Sequence, residues 1–236
     1  MLELKNVSKT YKKSEVKACD NVTLTIEDGD IYGFIGPNGA GKSTTIKCIV
    51  GIHSYDTGEI LLDGVSIKEK PKASKMKMAY VPDNPDLYEH LTGIEYINFI
   101  CNVYGANKDK DELVHKYASM FKIEDALGSP IKSYSHGMKQ KVALIAALAH
   151  KPKLLILDEP FVGLDPKASH DLKLVMKELC DNGTMIFFSS HVLEVVEKLC
   201  NKIAIIKNGR IVASGNVDEV IGNSSLEQTF LELYNE

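Results

Sequence analysis

Residues 36–43 read GPNGAGKS, and few strings restrict a fold as tightly. They match the phosphate-loop pattern Gly-x-x-x-x-Gly-Lys-Ser. The setting is also right: an apolar run at 31–35 reads as a buried strand, and 43–50 reads as the first turns of a helix. Gly36, Gly39 and Gly41 let the backbone curl so that successive N–H groups face phosphate oxygens. The helix N-terminus adds its partial positive charge. Pro37, Asn38, Ala40 and Thr44 complete the loop's binding surface, Lys42 reaches the β- and γ-phosphates, and Ser43 offers a hydroxyl to Mg²⁺. The chain is expected to bind a nucleoside triphosphate.

Composition narrows the rest. At 236 residues, 44% of them hydrophobic, the chain holds one large domain or two modest ones and can bury a core. A formal net charge of −4 gives no reason to expect a nucleic-acid partner. No apolar stretch approaches the roughly 18–20 residues needed to cross a bilayer. The opening MLELKNVSKTYKK lacks the apolar segment of a signal peptide, and no lipidation motif is present. The five cysteines are scattered with no Cys-x-x-Cys pair, as expected of free thiols in the cytosol.

Periodicity sets the order of elements. Residues 2–7 and 22–26 alternate as half-buried strands, 59–67 reads as a hairpin turning at Asp63-Gly64, and 79–81 is a short strand closed by Pro82. The first of these are expected to form an antiparallel edge sheet beside the phosphate-loop strand. From about 93 to 149 the pattern is helical: Ile94, Ile97, Ile100 and Val103; then Leu113, Tyr117 and Met120; then Val142, Ile145 and Leu148. A break at 128–130 interrupts it. Strand and helix then alternate again: a strand at 154–157, a helix at about 167–181, a strand at 184–188 and a helix at about 192–199. A hairpin follows at Asn208-Gly209, and a terminal helix at 226–234 presents Leu226, Phe230 and Leu233. Apolar strands alternating with helices imply a parallel sheet covered on both faces. The expected architecture is α/β: a P-loop core with an antiparallel β subdomain (1–84 and 150–225), an inserted helical subdomain (85–149) and a C-terminal helix (226–236).

Residues 154–159 read LLILDE, placing two carboxylates at a strand's carboxyl end, where open α/β sheets bind ligands. Asp158 is placed to hold Mg²⁺ through water beside Ser43, and Glu159 to polarise an attacking water. His191 ends another apolar strand, where an imidazole can donate to a γ-phosphate.

These residues, in this order, lead to a family. Ser135-His136-Gly137-Met138-Lys139-Gln140-Lys141 resembles the signature motif of the ATP-binding cassette ATPases, with His136 in place of a Gly and Met138 in place of the Gln. Gly163-Leu164-Asp165 resembles the family's D-loop, His191 its switch histidine, and Tyr11 its adenine-stacking aromatic. The resemblance spans essentially the whole chain. It implies ATP hydrolysis with Mg²⁺ by two cassettes paired head to tail, as a homodimer or with a paired cassette subunit. Each ATP would then lie between one copy's phosphate loop and the other's Ser135, His136, Gly137 and Met138. It further implies a separate transmembrane permease and a cytoplasmic location at the inner face of the membrane, with docking around residues 83–104 (Tyr88, Leu91, Tyr96). Asp83 stands where the family usually has Gln, so it is expected to approach the metal, or else to cap the turn toward Pro85. The forms PxLYExLTG at 85–93 and SLExxFLEL at 225–233 resemble the bacterial drug, bacitracin and lantibiotic exporter branch. The rival readings are a cassette ATPase acting on nucleic acid or the ribosome, and a soluble nucleotide kinase. The first lacks its long heptad insertions or second cassette here, and the second does not account for the signature and LLILDEP series.

Overall fold

The computed structural model describes residues 1–12, 14–105 and 108–235. The strands are β1 (Leu2–Thr10), β2 (Lys17–Ile26), β3 (Ile31–Ile35), β4 (Thr57–Leu62), β5 (Val65–Ser66), β6 (Met78–Val81), β7 (Leu154–Asp158), β8 (Met185–Ser190), β9 (Lys202–Lys207) and β10 (Arg210–Asn216). The helices are α1 (Lys42–Ile49), α2 (Pro71–Lys75), α3 (Gly93–Val103), α4 (Lys110–Met120), α5 (His136–Ala149), α6 (Pro166–Asp181), α7 (Leu193–Leu199), α8 (Val217–Ile221) and α9 (Leu226–Asn235). The short elements α2 and α8 carry no periodicity a sequence reading could detect.

Two sheets result. The larger runs β10-β9-β3-β8-β7-β6, parallel except for the antiparallel edge pair β9–β10. The smaller, β2-β1-β4-β5, is antiparallel throughout. It is a separate sheet: the hydrogen-bonded neighbours of β3 are β8 and β9. Period-two alternation divides the large sheet between two cores. Tyr32, Phe34, Leu154, Ile156, Phe187 and Ile206 join α1 and the small sheet in one. Ile31, Ile35, Leu155, Leu157, Phe188 and Ile205 join the helices α3 to α7 in the other.

Between β6 and β7 lie α3, α4 and α5. Thr92 and Glu95 form a reciprocal capping box that starts α3. Along the expected stripe Ile97 is buried, but Val103 is exposed and Cys101 takes the buried position instead. Helix α5 is buried continuously from Val142 to Ala149 and packs on α3, α4 and β6.

Candidate functional site

The carboxyl ends of β3 and β7 converge on one cleft. Its lining includes Pro37, Asn38, Gly39, Gly41, Lys42, Ser43 and Thr44 from the loop after β3, Asp158 and Glu159 from the end of β7, and Asp83 from the loop after β6. Parallel pairing brings these together: in register, Asp158 faces Ser189 and Ile35 faces Ser190, so β8 separates the two motifs by one strand.

The loop's shape depends on its glycines. Gly41 has φ +112, and a Cβ there would lie 2.3 Å from the Ala18 carbonyl oxygen. A Cβ on Gly36 would lie 2.5 Å from the Ile206 carbonyl oxygen. Both positions therefore exclude any larger residue. Ala40 N–H donates to the Pro37 carbonyl at 3.2 Å, and Gly209 N–H donates to the Ala40 carbonyl at 2.8 Å. Thr45 Oγ1 donates to the Gly41 carbonyl at 2.9 Å.

Lys42 is buried, and its ammonium donates to the carbonyls of Gly36 (2.5 Å) and Pro37 (3.3 Å), 3.9 Å from Glu159 Oε1. Burial lowers its pKa, partly opposed by the charges of Glu159 and Asp158. Asp158 is buried and accepts a 2.5 Å hydrogen bond from Ser189 Oγ. Glu159 has φ +49, a left-handed conformation costly for a non-glycine residue. Its N–H donates to Ser189, at 3.0 Å to Oγ and 3.2 Å to the carbonyl. Its Oε2 lies 2.9 Å from His191 Nδ1 and accepts from His191 N–H at 3.3 Å. The geometry thus joins His191 to the acidic pair. Ser189, which orients both carboxylate residues, was missed by sequence reasoning. Its signal, a Ser-Ser ending an apolar strand, acquires meaning only from the β7–β8 register.

Tyr11 sits beside the loop's far end, its hydroxyl 3.2 Å from Thr44 Oγ1 and its ring edge-to-face with His53 at 5.7 Å. Among the described residues no group of three His, Cys, Asp or Glu forms a ready metal cage. Ser43, Asp158 and Asp83 share the cleft, a donor set that suits Mg²⁺ brought in with phosphate oxygens.

The signature residues lie elsewhere: none of Ser135, His136, Gly137 and Met138 lines the cleft. Ser135 is the N-cap of α5, its Oγ accepting from Met138 N–H at 3.3 Å. His136 and Gly137 pack on the same chain's Gly163 (φ +80). A Cβ on Gly163 would meet the His136 ring at 2.5 Å, and one on Gly137 would meet the Gly163 carbonyl oxygen at 2.5 Å. Asp165 caps α6 through Ala168 N–H at 2.9 Å and pairs with Lys141 at 2.9 Å, which holds its carboxyl down at about 2. Lys139 pairs with Glu89 at 2.7 Å. The basic string 139–141 therefore makes ion pairs within the chain.

A phosphate-cradling loop, a buried lysine and an acidic pair at a parallel strand's end define a P-loop nucleoside-triphosphate hydrolase. The family model described as "ABC transporter" matches residues 19–162. Among relatives, the ABC-type transporter ATP-binding protein EcsA of Bacillus subtilis is 35% identical over all of this chain and 97% of its own. The linearmycin resistance ATP-binding protein LnrL of the same organism is 35% identical over all of this chain and 76% of its own. A methionine import ATP-binding protein of Listeria innocua is 33% identical over 93% and 68%. Among solved structures, an ATP-binding subunit of an ABC transporter superposes with a TM-score of 0.94, 35% identity and 99% coverage of both chains. The cassette MJ0796, a dimer bound to ADP and Pi, gives 0.83 with 27% identity, covering 92% of this chain and 99% of its own. The chain belongs to the ABC transporter family: it is an ATP-binding, ATP-hydrolysing cassette.

Proposed function

We propose that this cassette energises solute export by a separate membrane permease, acting as a head-to-tail pair in which each ATP is shared between two copies. The observation that carries this reading is the division of the site. Lys42, Ser43, Asp83, Asp158 and Glu159 line one cleft, while the α5 N-terminus, with Ser135 as its cap, lies outside it in the same chain. A helix N-terminus is suited to a phosphate, and a second copy supplies one. ATP alone carries the γ-phosphate that spans both halves, so hydrolysis releases the pair.

Within each site Lys42 and the loop's N–H groups hold the β- and γ-phosphates, Tyr11 stacks on adenine, and Ser135, His136, Gly137 and Met138 close the site from the partner copy. Glu159 accepts the proton of the attacking water, and His191, already bonded to it, donates to the γ-phosphate. Ser43 and Asp158, with Asp83 beside them, would hold Mg²⁺, whose charge offsets that developing on the phosphates.

Residues 1–84 and 150–225 act as the nucleotide-binding core with its β subdomain, 85–149 as the helical insertion carrying the signature, and 226–236 as the C-terminal helix. The insertion's surface around Tyr88, Leu91 and Tyr96 meets the permease. Tyr88 is exposed, with Phe99 edge-on at 5.5 Å and Tyr96 at 6.2 Å. No helix among the described residues is long and apolar enough to cross a membrane; attachment at the cytoplasmic face runs through the permease. Identity does not separate export from import, since the relative named for resistance and the one named for import differ by only 35% against 33%. Export rests on the resemblance of the 85–93 and 225–233 strings to the exporter branch, supported by the linearmycin resistance relative.

Glu159→Gln tests the site. It preserves shape and removes the proton acceptor, so turnover falls by about 10²–10⁴-fold while ATP still binds. The variant forms a stable dimer in Mg-ATP by light scattering. Near-normal hydrolysis refutes the role of Glu159, and a monomer at saturating ATP refutes the shared site.

A further inference from the structure

We infer that the C-terminal helix α9 positions the phosphate loop, and that the Tyr234 hydroxyl is the group through which it acts. The route is short. Tyr234 Oη donates to the backbone carbonyl of Ile206, near the end of β9. That carbonyl oxygen lies 2.5 Å from where a Cβ on Gly36 would stand, and the Ile206 Cγ2 lies 2.9 Å from the same point. Ile206 Cδ1 reaches the other critical glycine, 3.2 Å from a Cβ built on Gly41. Ile206 is fully buried and is therefore the floor on which both bends of the loop rest.

A second tie runs in parallel. Lys207 Nζ donates to the Leu233 carbonyl at 3.0 Å, and its ammonium lies 5.4 Å from the Tyr234 ring centroid. Beyond Lys207 the turn at Asn208 and Gly209 returns to the loop, where Gly209 N–H donates to the Ala40 carbonyl. The last residues of β9 thus touch the phosphate loop on one side and α9 on the other.

The helix is anchored well enough to bear on them. Leu226 is fully buried, its N–H donates to Glu197 at 2.9 Å, and the Phe230 and Tyr234 rings stack at 4.4 Å. The stack sets the phenol's direction, and the hydroxyl carries the contact. An oxygen accepting a hydrogen bond from a fixed donor has fewer positions open to it, so Gly36 meets a floor that does not move. Tyr234 is a positioning residue: it acts on nucleotide through Ile206 and the loop.

The test uses the full chain as wild type, Tyr234→Phe, Lys207→Met and the double variant. Affinity is read with a fluorescent ADP analogue, loop order by hydrogen exchange over residues 33–45, and fold by thermal melting. Tyr234→Phe keeps the ring stack, so the protein folds, with a melting temperature lower by at most a few degrees. Affinity falls by about two- to tenfold, the upper end being the worth of one hydrogen bond felt wholly in the nucleotide-bound state, and exchange at the amides of residues 36 and 38–43 accelerates. Lys207→Met moves both readouts the same way, and the double variant loses less than the product of the two, since both act through the end of β9. Unchanged affinity and exchange in folded Tyr234→Phe overturn the inference. A lowered melting temperature with normal affinity also overturns it, leaving α9 a purely structural element.

Discussion

Glu159 carries opposed demands. Its backbone is held at positive φ by two contacts from Ser189, and its carboxylate is engaged by His191. Strain of this kind, of order 1–3 kcal/mol, persists where surroundings over-determine it, and here Ser189 and His191 do so. Asp83, one of the three departures from the cassette pattern with His136 and Met138, is the one of them that lines the cleft. At about 4 Å and an effective dielectric near 20, one charge pair is worth roughly 4 kcal/mol before solvation, repulsive toward phosphate and attractive toward a divalent cation. Asp83→Asn is therefore expected to raise the Mg²⁺ needed for half-maximal hydrolysis more than it weakens ATP binding. Superimposable Mg²⁺ titrations would assign Asp83 to the turn alone. Gln140 presents a different anomaly: it is fully buried in α5 with neither amide atom hydrogen-bonded to the described residues. Leaving such a group unpaired costs about 1–3 kcal/mol. Gln140→Met should raise the melting temperature by several degrees, and a lower value would show that the amide finds a partner.

At the scale of elements, much was legible because the chain is locally consistent. The phosphate loop and LLILDE each sit where the pattern placed them, since apolar runs bounded by turn residues have few alternatives. What escaped depends on distance in sequence. That β1, β2, β4 and β5 form a sheet of their own follows from β1 pairing with β4 across β3 and α1, and no local pattern encodes that. Ser189 became visible only through the β7–β8 register. The contact of His136 with Gly163 joins segments more than twenty residues apart. The end of α5 yields a pH prediction. His150 caps that helix, stacks on Tyr104 at 3.9 Å, and burial lowers its pKa to about 4. The folded state thus resists a proton that the unfolded chain accepts near pH 6.5, so the unfolded state binds more protons between those values and stability falls as pH drops from 6.5 to 4. Allowing for partial exposure, the loss is on the order of 1–3 kcal/mol. Denaturant melts of wild type and His150→Phe across this range should diverge in slope, the variant being flatter; parallel curves would remove His150 from the account.

For the whole molecule, the proposed sharing of each site between two copies makes complementation the natural probe. Lys42→Ala should weaken nucleotide binding by the monomer, whereas Ser135→Ala should leave that binding nearly intact and damage pairing and turnover. Mixed together, the two restore at most one competent site per heterodimer. Loss of monomer binding in Ser135→Ala would disprove its action on the other copy's ATP. The two-sheet architecture has one more consequence. An inner strand of the small sheet, β1, is bonded on one side to β2, which precedes the nucleotide loop, and on the other to β4, which follows α1. That sheet is a clasp whose two halves are sewn on either side of the ATP-binding segment, so the β1–β4 seam closes the chain around that segment. A ligand that binds the folded form alone contributes about 2.7 kcal/mol at a hundredfold excess over its dissociation constant. That stabilisation reaches every amide that exchanges only by global opening, so the buried amides of β1 are expected to gain protection as the site fills, from a place where no phosphate is held.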